Sequence, residues 1–396
     1  MGADLQGLLA YARAQSPELR AMQAEAAAAA QRVGPAGALP DPVLRVELMN
    51  INNYGTDASP SLLPSKVGET KYTLMQSLPL WGKRELKRDA ATADARQADA
   101  RSDAAWAELA ARIKTAYTEH YRSVGNESLT REVIDLMSRL EQIAQARYAG
   151  GLAVQQDAIR AQLEQTAMRS ELIALEGEKR KIKARINALL ARDGSAPLAD
   201  PQQLRPLPPL APADALGLAE RARRVNPLIA AELARLASAQ KSRELTQRNR
   251  YPDVLVGLVP SQMGSRITSW GVMFEVNIPL QQEARRSQER EGDAMVSSAR
   301  SRSEAVTQQL LGELGMNLAG LDAARRTEQL VKSQLLPQSE LSLKSALSAY
   351  ENGKADFATV LDAQRQIRKA RQELLKAQVE AQLRLVDIEL VVGEDL

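Results

Sequence analysis

The chain contains no cysteine, a single histidine and only 3% aromatic residues in 396 positions. Without cysteine there is no disulfide, no thiolate metal site, no Cys nucleophile and no lipid attached to an N-terminal Cys. One histidine, His120, cannot form a metal-binding cluster or complete a triad by itself, and it reads as a surface or interhelix residue rather than a ligand. No run of about 18 apolar residues occurs, which excludes a transmembrane helix. With 52 basic against 49 acidic residues the net charge is +3, so no strong field favours nucleic acid. No nucleophile elbow, phosphate loop or acid/base pair stands out, and no enzyme, cofactor or metal site is expected.

What is present is 44% apolar content carried mostly by Ala and Leu. Such a composition suits thin helices packed at close interhelix distance, an elongated assembly rather than an aromatic core. The opening Met1-Gly2-Ala3-Asp4-Leu5 lacks a basic n-region and an apolar h-region. The chain is therefore expected to be a mature form whose export signal has been removed.

Periodicity predicts the same element order twice. In the first half (1–195) a helix with a break at Ser16-Pro17 ends near Gly34-Pro35-Ala36-Gly37. Strands follow at about 43–51 and 70–78, separated by a loop rich in Asn, Ser, Pro and Gly. A helix of about 80–147 then runs without a proline, which at 1.5 Å per residue is about 100 Å. Its later part shows a seam at Leu129, Val133, Leu136, Leu140 and Ile143, and a return helix covers about 153–190.

A Pro-rich linker at 196–213 separates this from the second half (214–396). There the strands fall at about 253–260 and 267–279, the long helix at about 281–349 with Pro337 as its one interruption, and the return helix at about 354–391. The return helix repeats Ile367, Leu374, Ala381 and Ile388 every seventh residue.

The period changes from 2 to 3.6 at Pro79-Leu80-Trp81 and again at Pro279-Leu280-Gln281. Four alternating strands of about 8 to 11 residues have the dimensions of membrane-barrel strands, but four cannot close a barrel. Several chains must then contribute, because a bilayer forbids open sheet edges. Alternation also suits a soluble sandwich, but Trp270, Tyr251 and Trp81 at strand ends suit a membrane-interface girdle.

The duplicated unit, its Pro-Leu junctions, and the paired tips Tyr148-Ala149-Gly150-Gly151 and Tyr350-Glu351-Asn352-Gly353 resemble the TolC-like outer-membrane efflux factor family. Ala161-Gln162 and Ala363-Gln364, which follow the tips, carry the same resemblance, and Leu80-Trp81-Gly82-Lys83-Arg84 is closest to the heavy-metal CzcC/CusC-like branch. The resemblance implies an α+β membrane protein. In it, three chains form a 12-stranded outer-membrane β-barrel and a helical periplasmic tunnel, with a proton-driven inner-membrane RND pump and a periplasmic adaptor as partners. The linker would lie at the tunnel's equator.

On that resemblance the lipid-facing residues are Tyr72, Leu74, Trp270, Val272, Phe274 and Val276, with Pro79, Trp81 and Pro279 marking the membrane border. The tips Arg147, Tyr148, Gly150, Gly151, Tyr350, Asn352 and Gly353 would contact the adaptor. Asp356, with Glu351 and Asp157 behind it, would form a ring of carboxylates at the periplasmic aperture. The expected function is a passive exit duct for heavy-metal cations, with multidrug or type I secretion ducts as alternatives within the family. A rival from another class is a soluble coiled-coil scaffold, extractable without detergent. Met137 and Met168 are expected to serve packing rather than metal binding.

Overall fold

The computed structural model describes residues 2, 4–51, 59–210 and 214–396. Residues 52–58 of the predicted strand-to-strand loop and 211–213 of the linker, Pro212 included, lie outside the described residues, as do Met1 and Ala3.

The elements in order are α1 (Leu5–Gln15), α2 (Pro17–Gly37), β1 (Val43–Met49), β2 (Glu69–Leu78), α3 (Lys83–Ala149) and α4 (Gln155–Leu189), then α5 (Ala215–Val225), α6 (Pro227–Arg248), β3 (Val254–Met263), β4 (Arg266–Val276), α7 (Gln282–Leu330), α8 (Leu336–Glu351) and α9 (Phe357–Val392). The breaks before Pro17 and Pro227 share one cause, since each proline lacks the N–H that a continuous helix needs. Ser16 and Asn226 fill the gaps, both nearly fully buried. Ser16 Oγ accepts the Leu19 N–H, and Asn226 Nδ2 donates to the Val391 carbonyl at 2.7 Å.

Proline shapes two helix ends. α2 carries Pro35 in its final turn and ends at Gly37, because a proline so close to the end forfeits a single hydrogen bond. Between α7 and α8, residues Val331–Leu335 form a widened π turn just ahead of Pro337. The ring of Pro337 would clash with the carbonyl four residues back, and the extra residue in the turn removes the conflict.

Compactness divides the chain differently from the repeat. One unit comprises Met1–Met22, Ser102–Pro227 and Thr307–Leu396, the other Gln23–Arg101 and Leu228–Val306, so each draws on both halves of the sequence. The first unit is helical. Leu5, Leu8, Leu9 and Ala12 of α1 pack with Leu109, Ile113 and Tyr117 of α3 and with Ile182 and Ile186 of α4. A second cluster joins Val133, Met137 and Leu140 of α3 to Ala161 and Met168 of α4, and to Tyr350, Phe357 and Val360 of the second hairpin. The buried stripe on α3 is Thr130, Val133, Met137, Leu140 and Ala144, so the seam is rotated from the predicted one and Met137 is fully buried where Leu136 was expected.

The linker is fastened to this unit by its backbone. Lys183 Nζ donates to the Leu198 carbonyl at 2.9 Å, and Arg325 donates to the carbonyls of Pro208 and Leu210. Asp200 lies between Lys179 and Lys183 at 2.8 and 2.7 Å. Although burial opposes ionisation, the two ammonium groups hold its carboxyl down at about 2.

The second unit contains the antiparallel sheet β1-β2-β3-β4. Leu44 pairs with Leu74, Leu74 with Leu258 and Leu258 with Val272, so one aliphatic row crosses all four strands on one face. These side chains are 64%, 50%, 51% and 61% exposed respectively. The opposite face carries the row Val43, Met75, Gly257 and Met273, and there Met75 is 5% exposed. A Cβ on Gly257 would come within 3.3 Å of Met75 Cγ and 3.2 Å of Met273 Cε, so glycine leaves room for both thioethers.

Candidate functional site

Two places carry the expected functional residues, the helix tips in the helical unit and the strand-to-helix junctions in the unit that holds the sheet.

At the tips, α3 and α4 meet through residues 150–154, and α8 and α9 through 352–356. Gly151 and Gly353 both have positive φ, 71° and 72°, which an L side chain at either position would strain. Arg147 joins the two turns. Its Nη1 donates to the carbonyls of Tyr350 and Glu351 at 2.7 and 2.8 Å, its Nη2 donates to Leu152 O at 3.2 Å, and the guanidinium lies 5.0 Å from the Tyr350 ring centroid. These are the C-terminal carbonyls of α8, where a cation also complements the helix dipole.

Tyr350, expected at an adaptor-contacting surface, is instead 2% exposed and packs edge-on against Phe357 at 5.5 Å. Its hydroxyl donates to Asp157 Oδ2 at 3.5 Å, and burial followed by the Asp157 charge pushes the phenol pKa up. Tyr148, Gly150, Asn352 and Gly353 remain exposed.

Asp356 is exposed and caps α9, its Oδ1 accepting the Thr359 N–H at 2.9 Å and the Thr359 hydroxyl at 2.5 Å. The Thr359 hydroxyl, then its N–H, hold this carboxyl below the usual range. Phe357 was not singled out from the sequence. One signal could have found it, since it is one of only two phenylalanines and directly follows the cap.

His120, the one histidine, is fully buried in the helical unit, with Nε2 3.3 Å from Asp200 Oδ1. Burial pushes its pKa down to about 4 against the attraction of Asp200. Met137 and Met168 are buried in the tip cluster. Among the described residues no group of three or more His, Asp or Glu side chains is placed to hold a metal ion.

At the junctions, Leu78 of β2 and Val276 of β4 both pair with Val254, the first residue of β3. Both neighbouring strands therefore lose their partner at one level, and Pro252, two residues before Val254, has no N–H to donate to either. β4 therefore stops at Val276, short of the predicted residue 279, and leaves Ile278 69% exposed. Lys83 is buried against the segment that leads into β3, donating to Asp253 Oδ1 and Tyr251 O, both at 2.8 Å.

Trp81 has a φ of 63°, unusual for a bulky residue. Its indole N–H donates to Pro252 O at 2.9 Å, and its ring stacks on Tyr251 at 5.1 Å. Of the lipid-facing candidates, Trp270, Val272, Phe274 and Val276 are 72%, 61%, 71% and 48% exposed, whereas Tyr72 is half-buried and donates through Oη to Gln262 Oε1 at 3.0 Å. No helix among the described residues is long and apolar enough to cross a membrane.

Helices reaching 67 residues joined to a small sheet with one exposed apolar face define the TolC-like channel fold. The chain belongs to the outer membrane efflux protein family, whose model matches residues 8–192 and 218–394. It is thus an outer-membrane efflux protein and not an enzyme. It is 27% identical over 243 residues to the cobalt-zinc-cadmium resistance protein CzcC of Cupriavidus metallidurans, a match covering 60% of this chain and 56% of that relative's length.

Two solved structures share the fold. The outer membrane protein VceC of Vibrio cholerae superposes with a TM-score of 0.82 at 19% identity, over 99% of this chain and 96% of the other. CusC, solved in a study of folding and transmembrane channel formation, superposes with a TM-score of 0.83 at 14% identity, over 100% and 93%.

Proposed function

We propose that three copies of this chain join their four-stranded sheets into one twelve-stranded barrel and form the exit duct of a tripartite pump, together with a periplasmic adaptor and an inner-membrane RND pump. The observation that carries this reading is the apolar face running unbroken across four strands whose outer members, β1 and β4, each keep an unpaired edge. An apolar face needs lipid and an unpaired edge needs another strand, and pairing β4 of one copy with β1 of the next satisfies both.

The cargo under this reading is heavy-metal cations, supported by the likeness to CzcC and by the Leu80-Trp81-Gly82-Lys83-Arg84 junction. The duct acts passively, and Asp356, Glu351 and Asp157 form the carboxylate ring at the periplasmic aperture. The exposed tip residues Tyr148, Gly150, Gly151, Asn352 and Gly353 dock the adaptor.

Purification in detergent followed by light scattering tests the assembly, with a trimer expected and a monomer that stays soluble without detergent refuting it. Deletion of the gene in its host tests the cargo. Loss of tolerance to cobalt, zinc or cadmium is expected, and unchanged metal tolerance with lost drug tolerance would overturn the metal assignment.

A further inference from the structure

Trp81 and Tyr251 lie just past the last row of the apolar sheet face, three residues after Leu78 and three before Val254. Together with Glu85, Asp89 and Arg248 they line a 560 Å³ cleft. Neither ring is used for core packing, because Trp81 is 51% and Tyr251 40% exposed. A tryptophan at φ 63° is strained, and such strain persists only where its surroundings impose it. Here the hydrogen bond to Pro252 O and the stack on Tyr251 impose it, and the indole lines the cleft.

The charges in the cleft are of both signs and three of them are uncommitted. Arg250 is paired with Glu289 at 2.6 Å and Glu244 with Lys241 at 3.1 Å, whereas Arg248, Glu85 and Asp89 make no ion pair among the described residues. A free guanidinium, two free carboxylates and an interfacial aromatic pair, all continuous with an apolar face, complement a headgroup that carries phosphate and ammonium together.

We propose that this cleft binds one phosphoethanolamine lipid headgroup, with the phosphate on Arg248, the ammonium between Glu85 and Asp89, and the glycerol region against Trp81. The second repeat lacks the indole, since Gln281 stands where the first repeat has Trp81. It anchors the channel at a fixed depth through a specific lipid as well as through apolar contact. The inference rests on the lipid-facing reading of the sheet.

The test is native mass spectrometry of the full-length protein in detergent, offered phosphatidylethanolamine, phosphatidylcholine and phosphatidylglycerol with matched acyl chains. Retention of phosphatidylethanolamine is expected to exceed the other two by about fivefold or more. Arg248→Ala should lower retention of all phosphate lipids, whereas Glu85→Gln with Asp89→Asn should erase only the preference for the amine headgroup. Equal retention of the three lipids, or indifference to these variants, overturns the proposal, as would happen if a second copy of the chain filled the cleft.

Quenching by brominated acyl chains of the fluorescence that Trp270→Leu removes reports separately on the sheet. Its absence refutes the lipid-facing reading itself, while quenching without headgroup preference refutes only the cleft.

Discussion

Arg147 at the end of α3 donates to the carbonyls of both Tyr350 and Glu351 at the end of α8, and thereby fastens the tip of the first repeat to that of the second. A lysine cannot reproduce this, because its point charge lacks the planar fork that reaches two carbonyls and a third at Leu152 together. Arg147→Lys and Arg147→Ala should both loosen the tips, by about 1–3 kcal/mol for the lost charge-assisted bonds. Hydrogen exchange of residues 147–152 and 350–357 measures it, with faster exchange there and none in α1 expected.

Asp356 has a structural duty as the cap of α9 and a proposed electrostatic duty at the aperture. The two separate by substitution. Asp356→Ala should fray the first turn of α9, whereas Asp356→Ser keeps a capping oxygen and removes only the charge. If the carboxylate lines the aperture, both variants weaken block by multivalent cations in planar bilayers. Block unchanged in Asp356→Ser would leave the residue as a cap alone.

Val272 and Met273 are neighbours on β4 with opposite surroundings, Val272 in the exposed aliphatic row and Met273 over Gly257 on the other face. Val272→Lys should cost about 2–4 kcal/mol if its row lies at mid-bilayer and should abolish recovery of trimers from the membrane. Met273→Gln, on the other face, should leave trimer recovery intact. Gel mobility without heating reads both.

His120 gives the helical unit an acid-sensitive contact. Its folded pKa, about 4, is below the unfolded value of 6.5, so between these values the unfolded chain binds more protons. Stability from neutral His120 is therefore fully present above pH 6.5 and lost as pH falls through the interval to about 4, by about 3 kcal/mol. Asp200, depressed to about 2, adds its own loss only at still lower pH. His120→Gln should flatten the dependence of melting temperature on pH between 6.5 and 4 while leaving the slope below 4.

The repeated order of helices and strands was legible because each element carries its own period. The Ser16-Pro17 and Asn226-Pro227 breaks, the two positive-φ glycines at the tips and the alternation at Trp270, Val272, Phe274 and Val276 are local signals that need no knowledge of neighbours. The α3 seam was misread by part of a turn, since Leu136 and Met137 are both apolar and only the helices packed on α3 select which faces inward. The burial of Tyr350 was hidden for a similar reason. Its partner Phe357 lies across the turn, and Arg147, about 200 residues away, covers its ring.

By itself, then, the amino-acid order determined that alternating strands pass into long helices twice, and that no helix could cross a membrane, because hydrophobic period and proline placement are properties of a single segment. Only the tertiary structure decided that β2 and β4 end at one level on Val254, that Lys83 reaches Asp253 and that Trp81 rests on Tyr251. Those relationships depend on strand register and on side chains about 170 residues apart, and register is set by pairing between segments rather than by either segment alone.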